Sequence, residues 1–313
     1  MLVHALELAC VDHRVINGSG TFDAIAARSV FGPALEQEFP FAAYVSKTIT
    51  LEPREGNPPP RLWEAPGGLI NSIGLPNKGL DAYLAEDLPR LAALTRAEGA
   101  GGDADRSWPP SAPVPLITNV MGSSAEELSR LVEACEAHAQ IAALELNVSC
   151  PNVATGLDIG AAPATLEEVV RATRARTRKP LIVKLTPNTA DVVACARAAE
   201  AGGADAVSLI NTLRAMALAP GLGSRPWLGG GTGGLSGPAV RAVALAQVAA
   251  VAAEVGIPVV GMGGVQSAAH ARALIDVGAT LVAVGTENFC DPLVGGRIAR
   301  ELAETAPGSQ SPV

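Results

Sequence analysis

The stretch Leu144-Glu145-Leu146-Asn147-Val148-Ser149-Cys150-Pro151-Asn152 decides how this chain reads. A short apolar strand ends in two asparagines, a serine and a thiol, and the proline stops further pairing. Amide hydrogen-bonders and a potential proton-transfer group therefore collect at one strand's C-terminal end. In parallel α/β proteins that end is where ligands bind, so the stretch predicts an architecture and a chemistry together.

Outward from it, apolar strand-like runs alternate with Ala-rich helical patterns. Strands are predicted at 42–46, 68–71, 115–120, 143–147, 180–185, 206–210, 258–261 and 281–285, and helices at 79–94, 124–139, 165–178, 189–201, 238–255, 267–277 and 291–304. Eight strands with helices between them predict the α/β class and a (β/α)8 TIM barrel, with 1–313 as a single domain. Ser123 or Ser124 ahead of Glu126 and Glu127, Thr165 ahead of Glu167 and Glu168, and Ser267 are the candidate helix caps. Residues 96–113 are Gly- and Pro-rich without a period and read as a flexible surface insertion, and 308–313 as a frayed tail. Residues 213–237 hold eight glycines and read as a long functional loop on the ligand face.

Composition narrows the class. The chain has 313 residues, 48% of them apolar, a net charge of −8 and a mean hydropathy of +0.28. The acidic balance argues against nucleic acid or an anionic membrane as partner. Arg171, Arg174, Arg176, Arg178 and Lys179 form the one basic cluster and read as a solvated helix face. Five cysteines, none in CxxC spacing, and four histidines give no metal pattern and no disulfide framework. No signal-peptide profile and no apolar run of about 18–20 residues is present, so a soluble cytoplasmic protein is expected.

Four sets of residues carry chemistry. Gly261-Met262-Gly263-Gly264-Val265 after the seventh strand and Gly285-Thr286 after the eighth stand where barrels build a phosphate site from backbone N–H groups; no aspartate follows at dinucleotide-fold spacing. Lys47 ends the first predicted strand, and Lys184 sits inside the fifth, where a lysine is costly unless paired. Lys184 is a charge-paired core residue, a Schiff-base nucleophile, or a cation that neutralises charge developing on a cofactor. Asn71, Asn119, Asn147, Asn152 and Asn211 fall at or just after strand ends; each alone suits a turn, but together they suit a flat heterocycle rich in N–H and C=O groups. Cys135, Cys195 and Cys290 read as small buried hydrophobes, whereas Cys150 follows a strand end into a loop.

With these residues laid out, the chain resembles the dihydroorotate dehydrogenases of class 1, the cytosolic class. The matching segments are Ser19-Gly20-Thr21-Phe22, the run from Lys47-Thr48-Ile49-Thr50 through Pro60-Arg61, Asn71-Ser72-Ile73-Gly74-Leu75-Pro76-Asn77, Asn147-Val148-Ser149-Cys150-Pro151-Asn152, Ile210-Asn211-Thr212, Thr232-Gly233-Gly234-Leu235-Ser236-Gly237-Pro238, the Gly261–Val265 turn and Gly285-Thr286. They run in family order over most of the chain. The resemblance implies an FMN enzyme that oxidises dihydroorotate to orotate in pyrimidine (UMP) biosynthesis. It implies that Cys150 is the base at substrate C5, with Lys47 beside it, and that a hydride passes from C6 to flavin N5. A cysteine there points to the soluble class, because the membrane-bound class carries serine.

The same resemblance implies a substrate site of Lys47, Asn71, Ser72, Ile73, Gly74, Leu75, Asn147, Asn211 and Thr212. It implies an FMN site of Ser19, Lys47, Thr48, Asn119, Asn147, Lys184, Ile210, Gly237, Gly263, Gly264, Gly285 and Thr286, with Lys184 near flavin N1/O2. A thiolate must form for the base role, and the loop 148–162 could fold over the substrate. The Thr232–Pro238 and Gly261–Val265 segments resemble the NAD-linked class 1B, which implies a homodimer paired with an electron-transfer subunit carrying FAD and a 2Fe–2S cluster. This chain has no cluster-binding cysteine set of its own. Gly231 replaces an arginine common in the family, and Ala215-Met216-Ala217-Leu218-Ala219 replaces a more polar run. The readings kept beside it are a related FMN oxidoreductase acting on a reduced pyrimidine base, a Schiff-base aldolase using Lys184, and a non-catalytic flavin-binding subunit.

Overall fold

The computed structural model describes residues 14–33, 35, 38–95, 114–148, 159–221 and 223–304. The predicted insertion at 96–113, the predicted tail at 308–313, Asn152 and Cys150 lie outside these residues. The strands in chain order are β1 (Val15–Asn17), β2 (Tyr44–Val45), β3 (Leu62–Ala65), β4 (Gly68–Asn71), β5 (Leu116–Val120), β6 (Ala143–Asn147), β7 (Leu181–Lys184), β8 (Ala206–Leu209), β9 (Leu213–Ala215), β10 (Gly233–Ser236), β11 (Val259–Met262) and β12 (Leu281–Val284).

Eight of them form one parallel sheet in the order β1-β12-β11-β8-β7-β6-β5-β2. The ring closes between β1 and β2. The Ala42 N–H donates to Val15 O at 2.8 Å. The Asn17 side chain then imitates a ladder rung: its Nδ2 donates to Val45 O and its Oδ1 accepts from Val45 N, both at 2.8 Å. The result is a (β/α)8 barrel with helices packed around it.

Alternation along the strands divides two apolar layers. Leu144, Leu146, Leu181, Val183, Val207 and Val282 join Leu128, Leu131, Leu166 and Val170 of the outer helices in the main core. Ile117, Ala143, Ile182, Ala206, Val260 and Leu281 join only one another and residues of neighbouring strands, inside the barrel. The next same-face positions toward the strand C-termini are Asn119, Glu145, Lys184, Ser208 and Met262, all buried. The barrel is thus apolar at its base and polar at its mouth.

Two strand expectations need correction. Gly68–Asn71 is a strand, but it belongs to a separate antiparallel sheet, β3-β4-β10-β9. The barrel's first strand is instead Val15–Asn17, three buried residues with no alternation to mark them. The count of eight and the numbering from the third strand onward are unaffected. The stretch 213–237 is likewise more than a loop, since β9 and β10 pair within it and carry it to β4.

The seven predicted helices all form, with Leu80–Thr95 passing through a π-helical turn at Tyr83–Asp87. One helix, Ala24–Phe31, has no predicted counterpart; Asp23 caps it by accepting from Ala26 N. Ser124, not Ser123, caps Ala125–Glu136, and the Glu127 carboxylate returns the contact by accepting from Ser123 N and Oγ, both at 2.7 Å. Those bonds hold the Glu127 carboxyl below the usual carboxylate range. Ser267 caps as expected. Thr165 does not cap, because the helix begins two residues earlier at Pro163 and its N-cap is Ala162.

The basic cluster is only partly a solvated face. Arg174 pairs with Asp205 at 2.8 Å and donates to Lys179 O, while Lys179 donates to His138 O and Ile141 O. Cys135 and Cys195 are buried as expected, but Cys290 is exposed, because it follows a short 3-10 turn at Thr286–Phe289 on the surface. No helix among the described residues is long and apolar enough to cross a membrane.

Candidate active site

A cavity of about 360 Å³ opens at the C-terminal ends of the barrel strands. Its floor and walls come from the segments just after the strands. Gly18 to Thr21 follow β1, Lys47 and Thr48 follow β2, Asn147 ends β6 and Lys184 ends β7. Ile210 to Thr212 follow β8, Met262 to Gly264 span the end of β11, and Gly285 and Thr286 follow β12. The small sheet contributes Leu62, Leu69, Asn71 and Leu235 from the side. Cavity placement at this face is the rule for barrels, since the loops there vary without disturbing the strands.

A polar line crosses the cavity. Ser19 Oγ donates to Ser46 O at 2.9 Å and lies 3.3 Å from Thr48 Oγ1, which accepts from Asn147 Nδ2 at 3.2 Å. These bonds tie the segments after β1 and β2 to the end of β6. Across the cavity, Asn71 Nδ2 donates to Gly234 O at 3.2 Å. Asn211 Oδ1 accepts from Thr212 N at 2.9 Å. The peptide between Leu209 and Ile210 is cis.

The loop 73–75 is held against 55–57. Asn57 N donates to Ile73 O at 3.0 Å. Gly74 has φ +75°, and a Cβ there would fall 2.4 Å from Asn57 N, so glycine is required by both conformation and space. Leu75, at φ 56°, is the one non-glycine residue in the left-handed region among the described residues. That sparsely populated conformation lies on the cavity wall, where backbone strain tends to concentrate.

The turn after β11 needs glycine for both conformation and space. Gly263 has φ +138°, and a Cβ on it would meet Ala244 Cβ at 2.5 Å. Behind the turn, Arg241 Nε donates to Gly264 O at 2.9 Å and its Nη2 to Gln266 Oε1 at 2.8 Å. Gln266 Nε2 in turn donates to Glu287 Oε2 at 2.7 Å, and Gln266 N to His270 Nδ1 at 3.4 Å. The turns after β11 and β12 are therefore one cross-linked unit. Burial, helped by the Arg241 charge, holds the His270 imidazole below its usual value.

Charge selects the ligand class. Lys47 and Lys184 are the ionisable side chains lining the cavity, and no carboxylate among the described residues lines it. Lys184 is buried and, among the described residues, its ammonium makes no hydrogen bond or ion pair. A buried ammonium without a partner is costly, and an anionic or electron-rich ligand relieves that cost. A flat group with a phosphate, such as a flavin mononucleotide, matches this cation, the glycine turns and the amides together.

Of the residues expected to form the site, Asn119 and Ser72 do not line the cavity, and Cys150 lies outside the described residues. The others all line it. Ser72 is fully buried and its Oγ accepts from Asn57 Nδ2 at 2.9 Å, which supports the 73–75 loop from behind. Asn119 points inside the barrel, one layer lower, where its Nδ2 donates to the Glu145 carboxylate. The sequence reading missed Thr21, Leu62, Leu69, Ser236 and Phe289, which also line the cavity. Ser236 had a signal, since it lies in the Thr232–Pro238 segment and accepts from Thr286 Oγ1 at 2.9 Å. Leu62 and Leu69 had none, because only the second sheet brings them to the barrel mouth.

Known proteins share this architecture and its sequence. The model of the dihydroorotate dehydrogenase family matches residues 16–305. The catalytic subunit of dihydroorotate dehydrogenase B (NAD(+)) from Pelobacter propionicus is 45% identical over 83% of this chain and 80% of its own length. The subunit of the same name from Geotalea uraniireducens is 42% identical over 95% of this chain and 91% of its own. Among solved structures, the dihydroorotate dehydrogenase of Eimeria tenella in complex with ferulenol superposes with a TM-score of 0.69 at 22% identity, covering 92% of this chain and 80% of that one. That last likeness is one of fold.

Proposed function

The chain belongs to the dihydroorotate dehydrogenase family, and from that premise we propose that it oxidises dihydroorotate to orotate with FMN in pyrimidine biosynthesis. The observation that carries the reading is the cavity that holds two lysines, no carboxylate among the described residues and a ring of amides above a glycine-built anion turn. Dihydroorotate supplies a carboxylate and an amide-rich ring, and FMN a phosphate and an electron-poor heterocycle.

In this reading Ser19, Thr48, Ile210, Gly237, Gly263, Gly264, Gly285 and Thr286 hold FMN, with Asn119 acting from the layer beneath. Lys47 and Asn147 face both ligands. Lys184 places its ammonium at the heterocycle. When bound, FMN supplies at N5 the acceptor for the hydride that leaves substrate C6. Cys150, three residues beyond Asn147 in the sequence, removes the proton from C5, and loss of both leaves the C5=C6 double bond of orotate. Asn71, Asn211 and Thr212, with the 73–75 loop, orient the ring so that both hydrogens leave from a fixed geometry. A thiol does this work only once it is ionised.

The relatives are named as catalytic subunits. We extend to this chain a cytoplasmic homodimer and an electron-transfer partner with FAD and a 2Fe–2S cluster. Anaerobic mixing with dihydroorotate tests the reading: the bound flavin should bleach, and NAD, fumarate and quinone then identify the oxidant. Cys150→Ser should lose most of that reduction rate near neutral pH. Bleaching by a dihydrouracil-type substrate but not by dihydroorotate would transfer the site to reduced pyrimidine bases. Flavin-free protein trapped by borohydride at Lys184 would make it an aldolase.

A further inference from the structure

Asn188 does not line the cavity, yet it holds a segment that does. It lies half-buried in the loop after β7, two residues beyond the buried Thr186. Its Nδ2 donates to Thr212 O at 3.0 Å, and its Oδ1 accepts from Arg214 N at 2.8 Å. Backbone groups two residues apart in an extended segment point to the same side. Here that side is the free edge of β9, the last strand of the small sheet, which β10 pairs from the other side. The Asn188 amide therefore fills the place of a missing neighbour strand.

Asn188 is itself held in place. Pro187 fixes the backbone ahead of it, and Thr186 Oγ1 accepts from its N and its Nδ2, both at 3.1 Å. The same loop reaches Asn211, whose N donates to Leu185 O at 3.2 Å. On its other side the segment meets β10. A Cβ on Gly234 would run into Thr212 Oγ1, so the Thr212 side chain lies flat against that glycine. Gly234 O in turn accepts from Asn71 Nδ2 at 3.2 Å. Asn71, Asn211 and Thr212 all line the cavity. The brace thereby ties this wall to β7, the strand that ends at Lys184.

We propose that Asn188 is a positioning residue for the substrate ring: it clamps the Thr212–Arg214 backbone so that Asn71, Asn211 and Thr212 keep one spacing. The glycine turns after β11 and β12 stand outside this clamp. The proposal rests on the dihydroorotate reading above. A small shift in such groups costs a rigid ring more than the bonds lost. Water can take over both bonds at a half-buried site, so their loss loosens the wall more than it unfolds the protein. Both ends of the amide are needed. A carboxylate can only accept, so Asn188→Asp keeps the acceptor for Arg214 N but turns a second oxygen toward Thr212 O.

The test compares wild type, Asn188→Ala, Asn188→Asp and Thr186→Val as FMN-loaded protein. The readouts are orotate affinity from the perturbed flavin spectrum, FMN affinity from titration of the apoprotein, and melting temperature. Asn188→Ala should weaken orotate binding about tenfold, the scale of two neutral hydrogen bonds. Its FMN affinity should stay within about twofold of wild type, less than one such bond is worth, and its melting temperature should change little. Asn188→Asp should weaken orotate binding at least as much. Thr186→Val, which removes the support of Asn188, should weaken it by about threefold, the weight of a single weak bond. Wild-type orotate affinity in folded Asn188→Ala or Asn188→Asp would overturn the proposal. So would equal losses of orotate and FMN affinity with a lowered melting temperature, which would make Asn188 a general structural contact. If neither variant folds, Thr186→Val decides, and wild-type orotate affinity there, or failure to fold as well, overturns it. Wild-type protein that takes up no FMN, or whose flavin spectrum orotate leaves unchanged, would instead overturn the dihydroorotate reading itself.

Discussion

Arg241 donates from Nε to the carbonyl oxygen of Gly264, 2.9 Å away, and so holds the glycine turn after β11 from behind. The same guanidinium reaches Gln266, and through it Glu287 beyond β12. Two loops from different strands are thereby locked into one unit, which the proposed reading assigns to the FMN phosphate. Arg241→Met keeps the aliphatic stem and removes these bonds. FMN affinity should fall about tenfold, the weight of a charge-assisted hydrogen bond, measured by flavin titration of apoprotein. Affinity within about twofold of wild type, less than one such bond is worth, would show that the turn holds its shape unaided.

Lys184 gives a prediction of two opposite signs. Its ammonium is buried and makes no hydrogen bond or ion pair among the described residues. Lys184→Met should stabilise the apoprotein by about 1 kcal/mol, raising its melting temperature by about 2 °C, because an uncompensated charge leaves the interior. The same change should weaken FMN binding and lower the flavin reduction potential, since the cation that favours the electron-rich reduced ring is gone. Calorimetry of the apoprotein and a potentiometric titration of the loaded protein read the two arms separately. A drop in apoprotein stability would contradict the assignment of Lys184 as an unpaired charge awaiting a ligand.

His270 contributes a pH dependence whose sign is fixed. Its folded pKa is depressed, first by burial and then by Arg241. The folded state therefore holds fewer protons than the unfolded chain, and the stability this confers is present above the unfolded value of about 6.5. It is lost as pH falls below that value toward the depressed one. Protonation also removes the Nδ1 acceptor of Gln266 N. Denaturant midpoints recorded between about pH 8 and pH 5, a window spanning that unfolded value, should show a decline that His270→Asn flattens.

Thiol chemistry should sort the cysteines. Burial pushes the Cys135 thiol up to about 12, and Cys195 is fully buried, whereas Cys290 is exposed. Native protein treated with a thiol reagent near about pH 8 should label Cys290 and leave Cys135 and Cys195 until denaturant is added. Peptide mapping by mass spectrometry checks this, and early labelling of Cys135 would mean that its helix opens locally.

The strand ends of β6, β7, β11 and β12 were readable because a buried run stops abruptly at Asn, Lys or Gly, and a barrel exposes that end to ligand. Val15–Asn17 was not, since three residues carry no period and its membership in the ring depends on Val282 and Val45, far away in sequence. Gly68–Asn71 looked like a barrel strand because an apolar run does not state its partner; β10, far along the chain, supplies it. Asn119 was legible as an amide at a strand end, but not its place beneath the cavity against Glu145. The signal was present as a carboxylate within an otherwise apolar strand. Ser72 faces away from the cavity because Asn57 claims its hydroxyl, a contact that depends on loop geometry alone.

The Asn17 side chain has one further consequence. Where other neighbours in the ring share strand-to-strand rungs, β1 and β2 meet through Ala42 and this single amide. Asn17→Leu should cost roughly 2–4 kcal/mol by denaturant unfolding, for two buried backbone groups left unmatched. Immediately past that junction stand Ser19 on one side and Lys47 on the other, both facing the same cavity. A molecule grasped by both acts as a bolt through the clasp of the ring. Cofactor occupancy and barrel integrity then become one equilibrium, and the melting temperature should keep climbing with FMN concentration well past the point at which every site is full.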